Sequence, residues 1–223
     1  MKVLQHLGAR ATWLFDTADL NPKGKSLFPD LLDWLKETYR FEQAPKSLPP
    51  EGENKGLEFK KGEFQTEEEM FVNVDLTVWN DGLVANSSKT TEDTDKFLGD
   101  VLRNATTEFS LTFDPNMVRR KLYISELNVK IDEPFAKLNH RLADFAEKLS
   151  ALLPDARPFS AGGISFWTDT TFNVTKLPPF GIERRVNAPF SENRFYTKAP
   201  LQTHQHIELL TEFEEILAAS GAE

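Results

Sequence analysis

The residues of this sequence best suited to binding a ligand are five arginines: Arg119, Arg120, Arg184, Arg185 and Arg194. A guanidinium fork matches the geometry of carboxylate and phosphate groups. Adjacent strand residues face opposite ways, so only one member of each Arg-Arg pair can join a given surface. Arg185 and Arg194 lie on successive predicted strands and could meet in a hairpin. We predict an anion-binding or partner-binding surface, and the alternative is that these arginines are solvated or pair with acidic residues of the chain.

Carboxylates offer a second, weaker possibility. Asp16 and Asp19 flank the end of a predicted strand, where paired carboxylates could hold Mg²⁺. Glu58-Phe59-Lys60 has the carboxylate-x-lysine spacing that some metal-dependent nucleases use. Alternation of charged residues along a strand face explains the same spacing. These residues make a metal-dependent hydrolase or nuclease the alternative function.

The sequence contains no other pattern that predicts a catalytic or cofactor site. The chain has no cysteine, which excludes disulfides, thiolate metal sites and cysteine nucleophiles. It has neither a Gly-x-Ser-x-Gly elbow nor a phosphate-binding glycine pattern. Of its four histidines, His204 and His206 begin a predicted helix, where residues two apart diverge. We therefore predict no catalytic residue, no metal and no cofactor, and favour a protein that is not an enzyme.

Charge is unevenly distributed in this acidic chain. The formal net charge is -9. Residues 62–116 hold 3 basic and 12 acidic side chains, whereas residues 117–202 hold 13 basic and 9 acidic ones. Residues 203–223 hold no basic and five acidic side chains. Because opposite charge blocks suit complementary contacts, we predict a non-enzymatic interaction or scaffold protein, a subunit of a multi-protein assembly. Its partner would be another protein or a second copy of itself.

The sequence disfavours nucleic acid and membranes as partners, and it favours one cellular compartment. A pI near 5.1 and the absence of Lys/Arg-rich helices make nucleic acid an unlikely partner. No apolar run approaches the roughly 18 residues of a membrane helix, so no membrane association is predicted. The polar start of the chain does not resemble a secretory signal. The sequons at Asn86, Asn104 and Asn173 match chance occurrence. We predict a cytoplasmic protein.

The clearest folding signal runs from Met70 to Phe109. Apolar residues alternate along 70–79, which predicts a half-buried strand. Asp81-Gly82 then predicts a tight turn that pairs Trp79 with Val84 and Val78 with Ala85. Thr90 is a predicted helix cap, with Asp93 three residues later. The helix that follows has one apolar stripe, which predicts that it lies on a sheet: Phe97, Leu98, Val101, Leu102, Ala105 and Phe109.

The remaining elements predict an α+β fold, with about four helices packed on mainly antiparallel sheets. Strands are predicted at 10–17, 57–64, 118–131, 163–169, 172–177, 180–186 and 193–199. The sequence shows no internal repeat, and a change of composition suggests regions 1–112 and 113–223, or one continuous domain. A helix after Pro134 carries apolar residues at spacings of three and four: Phe135, Leu138, Leu142, Phe145, Leu149 and Leu152. We predict a core helix, and a coiled-coil seam between subunits is the alternative.

Overall fold

The fold consists of eight strands and four α-helices within the described part of the chain. The computed structural model describes residues 1–22, 24, 28–47, 55–66, 70–138, 140–153, 158–169, 171 and 177–219. The strands are β1 (Lys2–Leu14), β2 (Leu57–Gln65), β3 (Phe71–Trp79), β4 (Gly82–Ser87), β5 (Arg120–Lys130), β6 (Gly163–Phe166), β7 (Phe180–Arg184) and β8 (Arg194–Ala199). The helices are α1 (Phe28–Thr38), α2 (Thr91–Phe109), α3 (His140–Ala151) and α4 (Thr203–Ala219). Almost all of the strand predicted at 172–177, with the sequon at Asn173, lies outside the described residues.

The eight strands form one antiparallel sheet with the order β2-β3-β4-β1-β5-β8-β7-β6. The predicted α+β class is therefore confirmed, including its four helices. The order strand, helix, three strands, helix occurs twice along the chain, although the sequence itself shows no repeat. Among the described helices, none is both long enough and apolar enough to cross a membrane.

The chain divides into two compact units. The first unit contains Leu7–Ser125 and Leu201–Thr203, and the second contains Met1–His6, Glu126–Pro200 and His204–Glu223. Strands β1 and β5 each contribute residues to both units. The predicted regions 1–112 and 113–223 stay a prediction.

Helix α2 anchors the core of the first unit. The Thr90 side chain accepts a hydrogen bond from the Asp93 N–H, and the Asp93 carboxylate accepts one from the Thr90 N–H, so the predicted capping box is present. This box satisfies amide groups that the first helical turn leaves without partners. The predicted stripe is buried from Phe97 to Ala105 and packs on strand and α1 side chains, among them Phe59, Leu76, Leu83 and Leu35.

The β3–β4 hairpin turns one position earlier than the sequence suggested. Its register pairs Trp79 with Gly82 and Val78 with Leu83, so Asn80 and Asp81 form the turn. The predicted pairing was wrong by two residues, which preserves the buried face. The physical reason lies in β1, because a Cβ on Gly82 would come within 2.1 Å of the Trp13 carbonyl oxygen. Gly82 is therefore required by the approach of β1 and pairs across from Leu14.

The core of the second unit is built from β5, β7, β8 and α4. Leu127, Val129, Ile182 and Phe195 are fully buried on the strands. On α4, Leu210 and Leu217 are fully buried, with Ile207 and Phe213 packed beside them. The inner face predicted for the last helix is thus confirmed.

Candidate functional site

The most connected polar group of the first unit centres on Asp95 in α2. Its Oδ1 accepts hydrogen bonds from Trp13 Nε1 at 2.6 Å and from the Tyr123 hydroxyl at 2.9 Å. Its Oδ2 accepts one from Lys121 Nζ at 3.1 Å, and that ammonium lies 3.8 Å from the Trp13 ring centroid. The carboxylate therefore receives three donors from two strands.

The hydrogen bonds of this cluster stabilise the fold. Burial raises the pKa of the Tyr123 hydroxyl above its usual range, and the Asp95 carboxylate adds to the effect, so the phenol remains a donor. Both carboxylate oxygens of Asp95 are occupied, which makes Asp95 a poor general base. Local spacing gives no signal for this cluster, because the three partners of Asp95 are distant in sequence.

A second tyrosine makes a similar contact on the same helix. Tyr39, which is 3% exposed, donates its hydroxyl to Asp100 Oδ2 at 2.8 Å. Asn104 Nδ2 donates to the same oxygen at 3.0 Å. Burial and the Asp100 carboxylate raise the pKa of Tyr39, which keeps its proton in the neutral pH range. Both tyrosines thus fix the position of α2.

The predicted arginines of the second unit have different surroundings. Arg184 is half-buried: its Nε donates to the Ala161 carbonyl at 3.2 Å and its Nη1 to the Phe190 carbonyl at 3.3 Å. Its guanidinium carbon also lies 4.6 Å from the Phe190 ring centroid. Burial lowers the pKa of this guanidinium. Arg184 therefore holds two chain segments together.

The backbones of Arg185 and Arg194 are hydrogen-bonded to each other in the hairpin. The backbone N–H of Arg185 donates to the Arg194 carbonyl at 3.0 Å. Arg185 is exposed, whereas Arg194 Nη1 forms an ion pair with Glu192 Oε2 at 3.3 Å. Arg119 and Arg120 are exposed residues of the first unit. An anion-binding surface that uses these residues stays a prediction.

Asp16 and Glu58, which suggested a hydrolase or nuclease, each interact with a residue two positions away in sequence. Asp16 Oδ1 accepts the Ala18 N–H at 3.0 Å and caps a 3-10 turn at Thr17–Leu20. Glu58 Oε2 pairs with Lys60 Nζ at 2.7 Å on β2. Within the described ranges, no three histidine or acidic side chains come close enough to share a metal ion. This alternative also stays untested.

The two histidines at the start of α4 point in different directions. His204 is exposed, whereas His206 is fully buried and packs edge-on against Phe180 with ring centroids 5.8 Å apart. Burial lowers the pKa of His206 to about 4. The imidazole is consequently neutral at pH 7 and acts as a core residue.

Helix α3 contradicts the prediction of a core helix. Leu142, Phe145 and Leu152 are 44%, 65% and 81% exposed. Ala146 faces inward at 8% exposed, and the Ser150 hydroxyl, one turn later, accepts the Phe159 N–H at 2.8 Å.

The prediction of a core helix failed for a reason that lies at the start of α3. Phe135 is buried in a separate 3-10 turn at Phe135–Leu138, before α3 begins at His140. A 3-10 turn has three residues per turn, so it breaks the 3.6-residue period that would keep the stripe on one face. The small residues Ala146 and Ser150, four apart, were the sequence signal for the inward face. We call Leu142 and Phe145, together with Leu152 directly after the helix, the α3 face.

Helix α4 also exposes apolar side chains. Leu209 is 39% and Ile216 is 57% exposed, and their spacing of seven residues places them on one side of the helix. The exposed carboxylates Glu208, Glu212 and Glu215 surround them. We call Leu209 and Ile216 the α4 face.

Comparison with known proteins gives a likeness in structure but none in sequence. No known family model matches the chain, and no curated protein matches it. Among solved structures, the chain is similar to Methanococcus jannaschii TBP, with a TM-score of 0.44 and 10% sequence identity. The alignment covers 96% of this chain and 98% of that chain.

Proposed function

We propose that this chain is a non-enzymatic interaction protein, a subunit of an assembly that it joins through the α3 face. The observation that carries the proposal is the exposure of Leu142 and Phe145 on α3 and of Leu152 directly after it. Exposed apolar groups of this kind mark interaction surfaces when they are contiguous. Their spacings of three and seven residues follow the pattern of a helix–helix seam.

Burial of these side chains would favour association. Moving a leucine or phenylalanine side chain from water to an apolar contact contributes about 1.5–3 kcal/mol. Phe145 lies between the two leucines in the sequence and is the largest of the three side chains. Buried aromatic anchors near the centre of an interface carry much of its binding energy. We therefore assign Phe145 the central role.

The partner that the charges favour is a second copy of this chain. Lys148 follows Phe145 by three residues and precedes Leu152 by four, so it borders the α3 face. The α4 face is bordered by Glu212, which lies three residues after Leu209 and four before Ile216. An apolar face with a basic border and one with an acidic border are complementary, and every copy presents both.

Phe145→Asp provides the first test, because a charge at the centre of an apolar contact would have to be desolvated. Sedimentation velocity at several protein concentrations should show self-association of the wild-type chain and its loss in the variant. Val186→Asp is the matched control, since Val186 is 98% exposed in the same unit but not on α3. A wild-type chain that stays monomeric at about 100 μM, where a complex with a Kd of about 1 μM would be almost fully formed, would contradict self-association.

A charge exchange tests the pairing of the two faces. Lys148→Glu and Glu212→Lys should each weaken self-association because each places like charges across the interface. The double variant should recover it. If the single variants weaken association and the double variant weakens it further, Lys148 and Glu212 do not face each other.

A further inference from the structure

The first unit contains an apolar cavity of about 470 Å³ between α1, α2 and the sheet. Its walls include Leu32 and Leu35 from α1, Leu83 from β4, and Val101, Leu102 and Ala105 from α2. Each of these residues is 3–8% exposed, so this part of the cavity wall belongs to the packed core of the unit. Cavities of this size and lining are typical of small-molecule sites.

Among the described residues, the mouth of this cavity is polar and carries one acidic and one basic side chain. The lining also includes the exposed residues Asp16, Lys55 and Asn80 and the half-buried Thr17, whose exposure marks the mouth, and Asp16 and Lys55 carry opposite charges. The Asp16 carboxylate accepts the Ala18 N–H, and the Thr17 hydroxyl donates to the Asn80 carbonyl at 2.9 Å. A ligand with a single net charge would be attracted by one of the two charged residues and repelled by the other.

We propose that this cavity binds a neutral small molecule that is mostly hydrocarbon and carries at most one hydrogen-bonding group. The apolar walls accept the hydrocarbon part, for which desolvation is favourable. They offer no partner to a buried charge, which would be costly to desolvate. The hydrogen-bonding group of the ligand lies at the mouth, near Asn80. This site is independent of the α3 face and of the proposed assembly.

The probe for this site is N-phenyl-1-naphthylamine, a neutral fluorophore whose emission rises in apolar surroundings. Titration of the full chain should give a saturable signal with one probe per chain. 1-Anilinonaphthalene-8-sulfonate has the same ring system with a sulfonate, and should bind at least tenfold more weakly. Equal affinity for the two probes, or no saturable signal with the neutral one, would overturn the proposal.

Filling the cavity locates the binding site. Ala105→Phe places a ring in the cavity from α2, and should weaken probe binding at least tenfold while the melting temperature stays equal or rises. Leu83→Phe fills the same space from β4 and replaces the first variant if that one does not fold. Ala218→Phe adds the same ring at an exposed position of α4 and should leave binding unchanged.

One further variant separates this proposal from the proposed function. Phe145→Asp removes an exposed apolar side chain that could bind the same fluorophore. Probe binding that survives in Phe145→Asp and is lost in Ala105→Phe supports the cavity. Binding that survives in Ala105→Phe, with the fold intact, overturns it, whatever the association state of the chain.

Discussion

Thr91 and Thr203 are 112 residues apart in sequence and satisfy each other's backbone amides. The Thr91 N–H donates to Thr203 Oγ1 at 3.0 Å, and the Thr203 N–H donates to Thr91 Oγ1 at 2.7 Å. The two hydroxyl oxygens lie 3.1 Å apart. Both residues are buried, belong to the first unit and begin a helix, α2 and α4 respectively. Each threonine thus serves as a cap for the other's helix.

Thr203→Val should destabilise the chain more than its change in volume would suggest. It removes the acceptor for the Thr91 N–H in a buried position, which costs about 1–3 kcal/mol. Thr203→Ser keeps the hydroxyl and should recover most of this loss. Urea denaturation of both variants measures the difference. Equal stability of the two would show that the reciprocal hydrogen bonds contribute little.

Asp95→Ala should lower the free energy of unfolding by about 2–3 kcal/mol, because the buried Trp13 and the half-buried Tyr123 lose the acceptor of their hydrogen bonds. Denaturation followed by tryptophan fluorescence checks the loss. Glu108→Ala is the matched control, since Glu108 is an exposed acidic residue of the same helix. If the control loses as much stability as Asp95→Ala, the Asp95 hydrogen bonds are not the cause.

Stability should fall as the pH is lowered from about 6.5 to 4, in part through His206. Its pKa is about 4 in the folded chain and near 6.5 when unfolded. Over this range the unfolded chain binds the extra proton, so acid favours unfolding, and the contribution is on the order of 3 kcal/mol. His206→Gln should flatten the pH dependence in denaturation experiments at pH 7.5 and 4.5. His204→Gln, at an exposed position, should not.

Arg184→Lys should destabilise the second unit, whereas Arg185→Lys should not. Lysine keeps the charge but loses the planar fork that bonds the Ala161 and Phe190 carbonyls. Thermal melting followed by circular dichroism compares the two. If Arg185→Lys instead abolishes recovery of a partner at unchanged melting temperature, the predicted partner-binding surface gains support.

Duplex nucleic acid should not bind in a saturable manner at about 150 mM salt, where phosphate contacts are strongly weakened. Several basic residues of the first unit are already paired with carboxylates: Arg40 with Glu63 at 3.2 Å, Lys60 with Glu58 at 2.7 Å and Lys61 with Glu42 at 2.8 Å. Fluorescence anisotropy with a labelled 20-base-pair duplex tests this. Saturable binding with a Kd below about 1 μM would contradict the prediction, made from the net charge, that nucleic acid is an unlikely partner.

The sequence determined those features that depend on neighbours along the chain. The capping box at Thr90 and Asp93, the inner faces of α2 and α4, and the α+β class all follow from local spacing. In each case a period of two or about 3.6 residues, or a cap three residues from its partner, is complete within one element. Such signals need no knowledge of what the element packs against.

Tertiary structure decided the features that depend on distant partners. The β3–β4 turn moved because Gly82 meets the backbone of β1, and the α3 stripe became exposed because a 3-10 turn separates it from Phe135. The Asp95 cluster, the Thr91–Thr203 pair and the apolar cavity each join residues from separate elements. The physical reason is that packing and hydrogen bonding act through space, so a pattern along the chain fixes which face is apolar but not what covers it.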